Sequence, residues 1–274
     1  MARSINPLVS VVIPTYNREH QIEKTIKSVL RQTYSNFEII IVDDASIDNT
    51  EDVVKSISDN RIKFIKLKEN SQGTRPRNIG IQESIGDYIA LLDSDDEWVP
   101  TKLEKQLQFI KDYNEDNIMC FTDLIRKSER NEEIIKNKPL RDKEDIMDYI
   151  FIGNNLVQTS TFLFPSKIGK ETLFNPTLKK HQDWDFCLRL RENSVKFLLF
   201  PEPLTIYSVE EREGRISNNA KYPLSLEWGN EVKKHISERA YHAFQIISIV
   251  DSLILDEQKK KAMMLYLNAY LKRA

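Results

Sequence analysis

Three carboxylates stand within four residues where a short apolar stretch ends. Asp93, Asp95 and Asp96 follow the stretch YIALL of residues 88–92, which is typical of a buried strand. In open α/β sheets, ligands bind beyond the carboxyl ends of such strands. Like charges this close repel one another, and a divalent cation that prefers oxygen ligands makes the arrangement favourable. The alternative is a solvated acidic loop that leads into a helix, and this stretch alone does not decide between the two.

Three further polar clusters are predicted to lie at the same edge of the sheet. Each follows a predicted strand or the loop after one: residues 14–18, Asp43 with Asp44, and residues 75–78. The four strands are predicted over residues 9–13, 38–42, 62–65 and 88–92. Helical spacing of apolar residues separates them, and this alternation predicts a parallel sheet with right-handed crossovers. The first 115 or so residues therefore indicate a doubly wound, nucleotide-binding half in which the clusters line one crevice.

The order loosens after this point, and the end of the chain becomes helical. Strands are predicted over residues 118–121, 160–164 and 195–200. A hairpin tip or loop is predicted over residues 126–133, and a helix over residues 183–191. From about residue 226, apolar residues recur at helical spacing. They need a partner surface, which is either the main domain or a second copy of the chain.

Composition excludes several classes of protein. A net charge of -2 over 274 residues gives no general attraction to nucleic acid. No apolar stretch approaches the roughly 20 residues that span a bilayer, and none near the start resembles the centre of a signal peptide. Cys120, Cys187 and the four scattered histidines lack metal-type spacing. We therefore expect a soluble, cytoplasmic protein that has no nucleic-acid partner and no transmembrane segment.

The side chains of the crevice suit a nucleotide with phosphates. A carboxylate at Asp44 accepts a hydrogen bond, which matches the N3–H of uracil or thymine and not the acceptor of cytosine. Arg75 and Arg77 suit phosphate oxygens as charged donors, although plain surface charge explains Arg75 equally well. Asp95 suits a Mn²⁺ or Mg²⁺ ion that bridges a diphosphate, with Asp93 at the ribose or in the metal's water shell. Sites of this kind often use only one or two protein carboxylates.

Four motifs carry a family resemblance. Residues 11–18 (VVIPTYNR), 42–46 (VDDAS), 77–80 (RNIG) and 92–96 (LDSDD) together resemble family 2 inverting glycosyltransferases, in the order and spacing of that family. The resemblance covers about residues 7–210 and is most specific over the first half. It implies the GT-A fold: an α/β, doubly wound, mostly parallel sheet flanked by helices, here followed by a C-terminal helical extension. It also implies a UDP-sugar donor.

The resemblance gives roles to the matching positions. The positions implied to contact the donor are Pro14, Thr15, Tyr16, Arg18, Asp44, Arg77, Asp93 and Ser94. Asp44 would accept the N3–H of the uracil, and Arg77 would bind the nucleotide or its phosphates. Asp95 and Asp93 would hold the metal ion. For the two residues after Pro14 the alternative is a structural turn at the end of the first strand.

The second half supplies a candidate catalytic base. Members of the family carry a Glu-Asp pair at a helix start, and Gln182 and Asp183 match it, with Asp183 as the base. Direct inversion also needs a carboxylate opposite the leaving diphosphate to take the proton of the acceptor hydroxyl. The alternative for Asp183 is a helix N-cap. Asp185 is the competing base, although two residues along a helix it should face elsewhere. Trp184 and Trp98 suit either a sugar-pocket wall or the core, and we favour the donor pocket for Trp98.

The sequence departs from the family pattern in two places. Gln182 stands where the family has Glu, which removes a charge beside the base. Many members also carry a Tyr-Arg-x-His-x-x-Ser segment, and the corresponding residues 207–217 contain no histidine. Arg212 or Arg215 is the expected replacement that neutralises the diphosphate.

The predicted activity is metal-dependent, inverting transfer of a hexose from a UDP-sugar to a hydroxyl of a glycan or glycoprotein, with glucose as the expected sugar. Residues 1–115 would form the donor-binding half, and residues 116–225 the acceptor-binding and catalytic-base half of one GT-A domain. Residues 226–274 would form a helical extension through which copies of the chain assemble into a homo-oligomer.

Two other functions are compatible with parts of this pattern. A nucleotidyltransferase that makes a sugar nucleotide shares the doubly wound sheet, but it would carry a Gly-rich loop after the first strand, where this chain has Pro14. A degenerate glycan-binding or scaffolding relative would explain the altered residues 207–217. The intact Asp44, Asp95 and Asp183 argue against that reading.

Overall fold

The described part of the chain alternates strands and helices before it ends in helices only. The structure is a computed structural model and describes residues 6–71, 74–113, 116–209 and 222–273. Its strands are β1 (Val9–Thr15), β2 (Phe37–Asp43), β3 (Ile62–Lys66), β4 (Tyr88–Leu91), β5 (Glu97–Trp98), β6 (Ile118–Lys127), β7 (Glu132–Ile135), β8 (Leu163–Pro165) and β9 (Lys196–Ser208). Its α-helices are α1 (Ile22–Leu30), α2 (Thr50–Ser56), α3 (Arg75–Glu83), α4 (Lys102–Lys111), α5 (Ile146–Phe151), α6 (Ser166–Thr172), α7 (Gln182–Glu192), α8 (Tyr222–Val232), α9 (Glu238–Phe244), α10 (Asp251–Leu255) and α11 (Lys259–Arg273).

One sheet joins both halves of the chain. Its strand order is β3-β2-β1-β4-β8-β6-β9-β5, and β7 pairs with β6 outside this path. The first four strands are parallel, as their alternation with helices predicted. In the second half β6 and β9 are parallel, whereas β8 runs antiparallel to β4 and β6, and β5 runs antiparallel to β9. The predicted α/β class with a C-terminal helical extension is confirmed, with strands of mixed direction in the second half.

Side chains of the central strands alternate between two cores. Val11 and Ile13 of β1 pack on the same side as Ile26 of α1, while Val12 belongs to the core on the opposite side. On that opposite side, Gly80 lies so close to β1 that an added Cβ would stand 2.4 Å from Val12 Cγ1. The glycine therefore lets α3 pack directly on the sheet, which fixes the start of α3 near the ends of the strands.

Several predicted elements differ from the structure. The strand predicted over 160–164 is divided between a 3₁₀ helix, Thr159–Thr161, and β8. β5 was not predicted, because it is only two residues long and exists through its pairing with β9. The hairpin predicted over 126–133 is present between β6 and β7. The expected roles of Arg212 and Arg215 fall outside the described residues.

The C-terminal helices pack on the main domain and on one another. Trp228 of α8, Phe244 of α9 and Leu253 of α10 are buried in the same core as α5 and α7. A π-helical turn, Gln245–Val250, connects α9 to α10. Across the described ranges, no helix combines the length and the apolar character that crossing a bilayer requires.

Candidate active site

The loops after β1 and β2 are joined by hydrogen bonds at the predicted edge of the sheet. Asn17 has a positive φ of 49° and its N–H donates to Ser46 Oγ at 2.8 Å. The N–H of Arg18 donates to Thr50 Oγ1 at 2.7 Å. The N–H of Asp44 donates to the carbonyl of Thr15 at 2.8 Å. The predicted clusters at residues 14–18 and 43–44 are therefore neighbours.

The end of β1 and the loop after it carry polar side chains at the edge of the sheet. Thr15 is 3% exposed, and within the described part of the chain its hydroxyl has no hydrogen-bond partner. A buried hydroxyl without a partner costs free energy unless something else binds it. Tyr16 is exposed, and Arg18 Nη1 donates to the carbonyls of Tyr16 and Asn17 at 3.3 and 3.2 Å. Arg18 Nη2 also lies 3.8 Å from Asp95 Oδ2, so it connects this loop to the acidic cluster.

Asp43 and Asp44 have different surroundings. Asp43 is fully buried and accepts hydrogen bonds from the N–H and hydroxyl of Ser46, while burial raises the pKa of its carboxyl. Asp44 accepts the N–H of Ser71 at 3.0 Å and its hydroxyl at 2.9 Å. An ionised carboxylate has about four accepting positions. The two donors of Ser71 therefore leave room at Asp44 for a further donor such as a base N–H.

Arg77 joins the two halves of the site. Its Nη2 lies 2.6 Å from Asp93 Oδ1 at the end of β4, and its Nη1 donates to Gln182 Oε1 at 3.2 Å. The guanidinium also lies over the ring of Phe174, 4.8 Å from its centroid. Because Arg77 is almost fully buried, this charged pair is held in a defined geometry. The start of α7 and the end of β4 are thereby fixed to each other.

Asp96 turns into the protein, away from the other acids. Its carboxylate accepts hydrogen bonds from Ser160 Oγ at 2.7 Å, Gln158 Nε2 at 3.0 Å and the N–H of Ser208 at 3.0 Å. Burial first, and then the charges of Asp95 and Asp93, raise the pKa of Asp96 well above its usual range. Asp96 therefore holds the loop in place, and the predicted group of three acids presents only two.

Sequence reasoning missed Gln158 and Ser160 and misplaced Trp98. The two polar residues come from the 3₁₀ turn, and Ser160 Oγ also accepts the N–H of Asp93 at 2.9 Å. No local pattern marks them, since their partners lie more than 60 residues away in the chain.

The indole N–H of Trp98 donates to the carbonyl of Ser160 at 2.8 Å, and its side chain is 2% exposed. The interpretation of Trp98 as a donor-pocket wall is therefore wrong.

Ser94 and Pro14 also lie at the predicted edge. Ser94 is 6% exposed, and its carbonyl accepts the hydroxyl of Thr25 at 3.0 Å. Pro14 is partly exposed and pairs in register with Val42 of β2. Their predicted contacts with the donor stay predictions.

Asp183 lies in the first turn of α7. His181 occupies the N-cap position with a φ of 62°, so the alternative of Asp183 as the N-cap is wrong. Asp183 Oδ1 accepts the N–H of Trp184 at 3.0 Å. The pKa of Asp183 is raised to about 6, and burial is the largest cause. Backbone hydrogen bonds at the helix start and the charge of Arg77 lower this pKa, whereas the charge of Asp93 raises it. A carboxyl with a pKa near neutrality suits proton transfer.

Asp185 faces another part of the molecule, as its place in the helix predicted. Its Oδ1 accepts the indole N–H of Trp228 at 3.2 Å, and it is 8% exposed. Trp184 stacks on the ring of His181 with centroids 4.7 Å apart and planes at 6°. His181 in turn pairs with Ser225 Oγ at 2.9 Å. These contacts tie the start of α7 to the C-terminal helices and place Trp184 in an aromatic cluster.

The remaining acids offer few ligands to a metal ion. In residues 6–71, 74–113, 116–209 and 222–273, no group of three or more His, Cys, Asp or Glu side chains is placed to hold one. Asp93 and Asp95 each lie beside a guanidinium. Two carboxylates are what a Mg²⁺-type ion commonly takes from the protein when a ligand's phosphates supply the rest of its shell. The pair therefore fits such an ion together with a diphosphate.

Comparison with known proteins gives consistent relatives. Residues 10–171 match the sequence family described as Glycosyl transferase family 2. The chain is 30% identical over 252 residues to the amylovoran biosynthesis glycosyltransferase AmsB of Erwinia amylovora, covering 86% of this chain and 81% of that one. It is 44% identical over 103 residues to the UDP-Glc:alpha-D-GlcNAc-diphosphoundecaprenol beta-1,3-glucosyltransferase WfgD of Escherichia coli, covering 38% and 41%.

A solved structure shares the fold. Residues 1–349 of S. aureus TarS in complex with UDP-GlcNAc superpose with a TM-score of 0.69 at 20% identity, covering 95% of this chain and 79% of that one. At this identity the likeness concerns the fold alone. It agrees with the GT-A architecture that the sequence motifs implied.

Proposed function

Because this chain belongs to glycosyl transferase family 2, we propose that it transfers a hexose from a UDP-sugar to a hydroxyl of a glycan, with inversion at the anomeric carbon. The observation that carries the proposal is Arg77, which binds Asp93 and Gln182 at the same time. This arrangement brings the acids at the end of β4 and the start of α7 to one site. Donor and acceptor would meet there.

The proposed reaction is a single displacement. The acceptor hydroxyl gives its proton to the carboxylate of Asp183 while its oxygen bonds to the anomeric carbon of the donor. The bond from that carbon to the diphosphate breaks, and its electron pair leaves with UDP. Arg77, already buried against Asp93, is placed to stabilise the negative charge that grows on the leaving group. This step proceeds from an α-linked donor to a β-linked product.

The donor contacts are proposed from the polar groups at the ends of β1 and β2. The hydroxyl of Thr15, which has no hydrogen-bond partner among the described residues, and the exposed ring of Tyr16 would contact the uridine, and Arg18 would lie beside the phosphates. Asp44 would accept the N3–H of the base beside its bonds to Ser71. The name of WfgD contains UDP-Glc, which supports glucose as the first sugar to test.

Asp95, together with Asp93, would hold a Mn²⁺ or Mg²⁺ ion against the diphosphate. When bound, such an ion would neutralise the negative charge that develops on the departing UDP. Asp93 would also lie near the ribose.

The acceptor is proposed to be a glycan of a polysaccharide or of a lipid-linked precursor. The names of AmsB and WfgD refer to amylovoran and to a GlcNAc-diphosphoundecaprenol, which favours this class over a glycoprotein. The acceptor and base half over residues 116–225 and the donor half over 1–115 keep their proposed roles. Assembly into a homo-oligomer through residues 226–274, and a cytoplasmic location, stay predictions.

A donor screen tests the proposal. We expect UDP release to be fastest with UDP-glucose and Mn²⁺ when UDP-glucose, UDP-galactose and UDP-GlcNAc are compared, and to stop in excess EDTA because the diphosphate then loses its counter-charge. Asp95→Asn should raise the Mn²⁺ concentration for half-maximal rate at least about tenfold, whereas Asp52→Asn on the exposed side of α2 should not. Full turnover in excess EDTA would contradict both the proposed metal dependence and the role of Asp95 as a metal ligand.

The same screen separates the alternative functions. A nucleotidyltransferase would release pyrophosphate from UTP and a sugar phosphate. A glycan-binding or scaffolding relative would release no UDP from any donor.

The acid side of the pH profile should report Asp183. Because its pKa is raised to about 6 and the base must be ionised, kcat should fall as pH drops through this value, about tenfold per pH unit below it. Binding of the UDP-sugar should change little over the same range, since Asp183 faces the acceptor. Steady-state rates and donor titrations at matched pH values check this, and a flat kcat between about pH 5 and 7 would contradict the assignment.

A further inference from the structure

Helix α11 carries its large apolar side chains on the outside. The residues of α11 that face the protein are Ala262, Leu265 and Ala269. The two alanines are buried, and Leu265 is partly buried against the core. The most exposed apolar residues of the helix are Met263, Met264, Leu267, Tyr270 and Leu271, between 53% and 77% exposed. A helix turns by about 100° per residue, so these five share one side. We call this side the outer face of α11.

The size of this face is unusual for a solvated surface. Isolated apolar residues on a surface need no explanation, but a contiguous set of five does. Two exposed apolar residues of α10, Ile254 and Leu255, precede it in the chain. The helix itself is 15 residues long, which corresponds to about 22 Å.

The charges of α11 have one sign. The helix contains Lys259, Lys260, Lys261, Lys272 and Arg273 and no Asp or Glu. Lys261 is engaged with Tyr222, whose hydroxyl it reaches at 3.2 Å, while Lys259 and Lys260 are exposed. Cations at a helix N-terminus oppose the helix dipole, so the three lysines of the first turn do not stabilise α11. They become favourable where the helix meets negative charge.

We propose that the outer face of α11 docks on a lipid bilayer that contains anionic headgroups. Apolar side chains would enter the boundary between headgroups and acyl chains, and the lysines beside them would bind the negative surface. A second copy of the chain that packed α11 against α11 would offer these lysines no carboxylate of that helix as a partner, which disfavours such a contact. The combination of Met, Leu and Tyr with lysine matches a lipid surface better than it matches another copy.

The position of the C-terminal helices connects this docking to the site. Lys180 Nζ lies 3.1 Å from Ser252 Oγ of α10, and His181 lies 2.9 Å from Ser225 Oγ of α8. These two residues directly precede α7, which carries Asp183. The C-terminal helix that would contact the bilayer therefore belongs to the same group of helices that packs against the start of α7, where Asp183 lies. This last step rests on the proposed function, in which the acceptor is lipid-linked, whereas the docking does not.

Co-sedimentation with vesicles tests the docking without any activity measurement. The full chain should bind vesicles of phosphatidylcholine with phosphatidylglycerol, bind pure phosphatidylcholine much more weakly, and lose affinity as salt rises. Lys259→Gln with Lys260→Gln should lower the partition coefficient about fivefold for each lysine removed. Lys167→Gln, a change at an exposed lysine of α6, is the matched control and should leave it unchanged.

A second pair of variants tests the apolar contribution. Leu267→Ser with Leu271→Ser should lower the partition coefficient at least about tenfold. Ile85→Ser, at an exposed isoleucine elsewhere, should not. An unchanged far-ultraviolet circular dichroism spectrum of each variant confirms an intact fold, and UDP release measured without vesicles reports on the proposed function separately.

Three outcomes would overturn the proposal. The first is that the wild-type chain does not bind anionic vesicles at low salt. The second is that binding is unaffected by either double variant. The third is a dimer in light scattering that the two serine changes dissociate while vesicles are not bound, which would show a second copy on the outer face of α11.

Discussion

Asp183→Asn is expected to lower the rate of transfer by about 10²–10⁴-fold while the UDP-sugar still binds. The amide cannot take the proton of the acceptor hydroxyl, so the oxygen must attack while still protonated. The fold should persist, because an Asn oxygen can accept the N–H of Trp184 that Asp183 now accepts at 3.0 Å. Donor affinity from calorimetry and single-turnover rates with a glycan acceptor measure the two effects separately.

Asp185→Asn is the matched control for this change. It lies two residues further along α7, and its carboxylate accepts the indole N–H of Trp228 instead of facing Asp93. The amide keeps that acceptor, so transfer should fall by no more than about threefold. Full activity of Asp183→Asn would exclude Asp183 as the base. Loss of transfer in Asp185→Asn alone would move the role to Asp185.

The first half of the fold was predictable because its signals are local. Runs of β-branched residues such as those of β1 and β2 mark buried strands, and apolar spacing marks the helices between them. Parallel strands place the residues that follow them at one edge. The neighbouring positions of Thr15, Asp44 and Asp93 follow from that alone.

The parts that were missed depend on contacts between distant segments. β5 is defined by its pairing with β9, and this pairing and the Ser160 contact bury Trp98. The inward turn of Asp96 depends on Gln158 and Ser160, which no spacing rule connects to it. Ser71 was not recognised as a partner of Asp44 for the same reason. A carboxylate in a motif therefore shows where an acid lies, but its partners decide whether it faces a ligand or the core.

Arg77→Met should have the second large effect, on stability as well as on transfer. It would leave Asp93 without the guanidinium now 2.6 Å away and remove the contact with Gln182. We expect the free energy of unfolding to fall by about 2–4 kcal/mol, since one partner of a mostly buried pair is removed. Transfer should fall at least about hundredfold, because positive charge near the leaving group is lost. Denaturant titration and steady-state rates measure both.

The pH profile of this variant gives an independent readout. Arg77 lowers the pKa of Asp183 and Asp93 raises it, so without the guanidinium the acid limb of the remaining activity should move to higher pH. Arg61→Met is the matched control, since Arg61 also pairs with an acid, Asp59 at 2.8 Å, and lies over the ring of Phe37. The side chain of Arg61 is 32% exposed against 10% for Arg77, so the loss of its pair should cost about 1 kcal/mol or less, with transfer unchanged. Equal losses of stability in the two variants, or an unmoved acid limb, would show that Arg77 does not couple the end of β4 to the base.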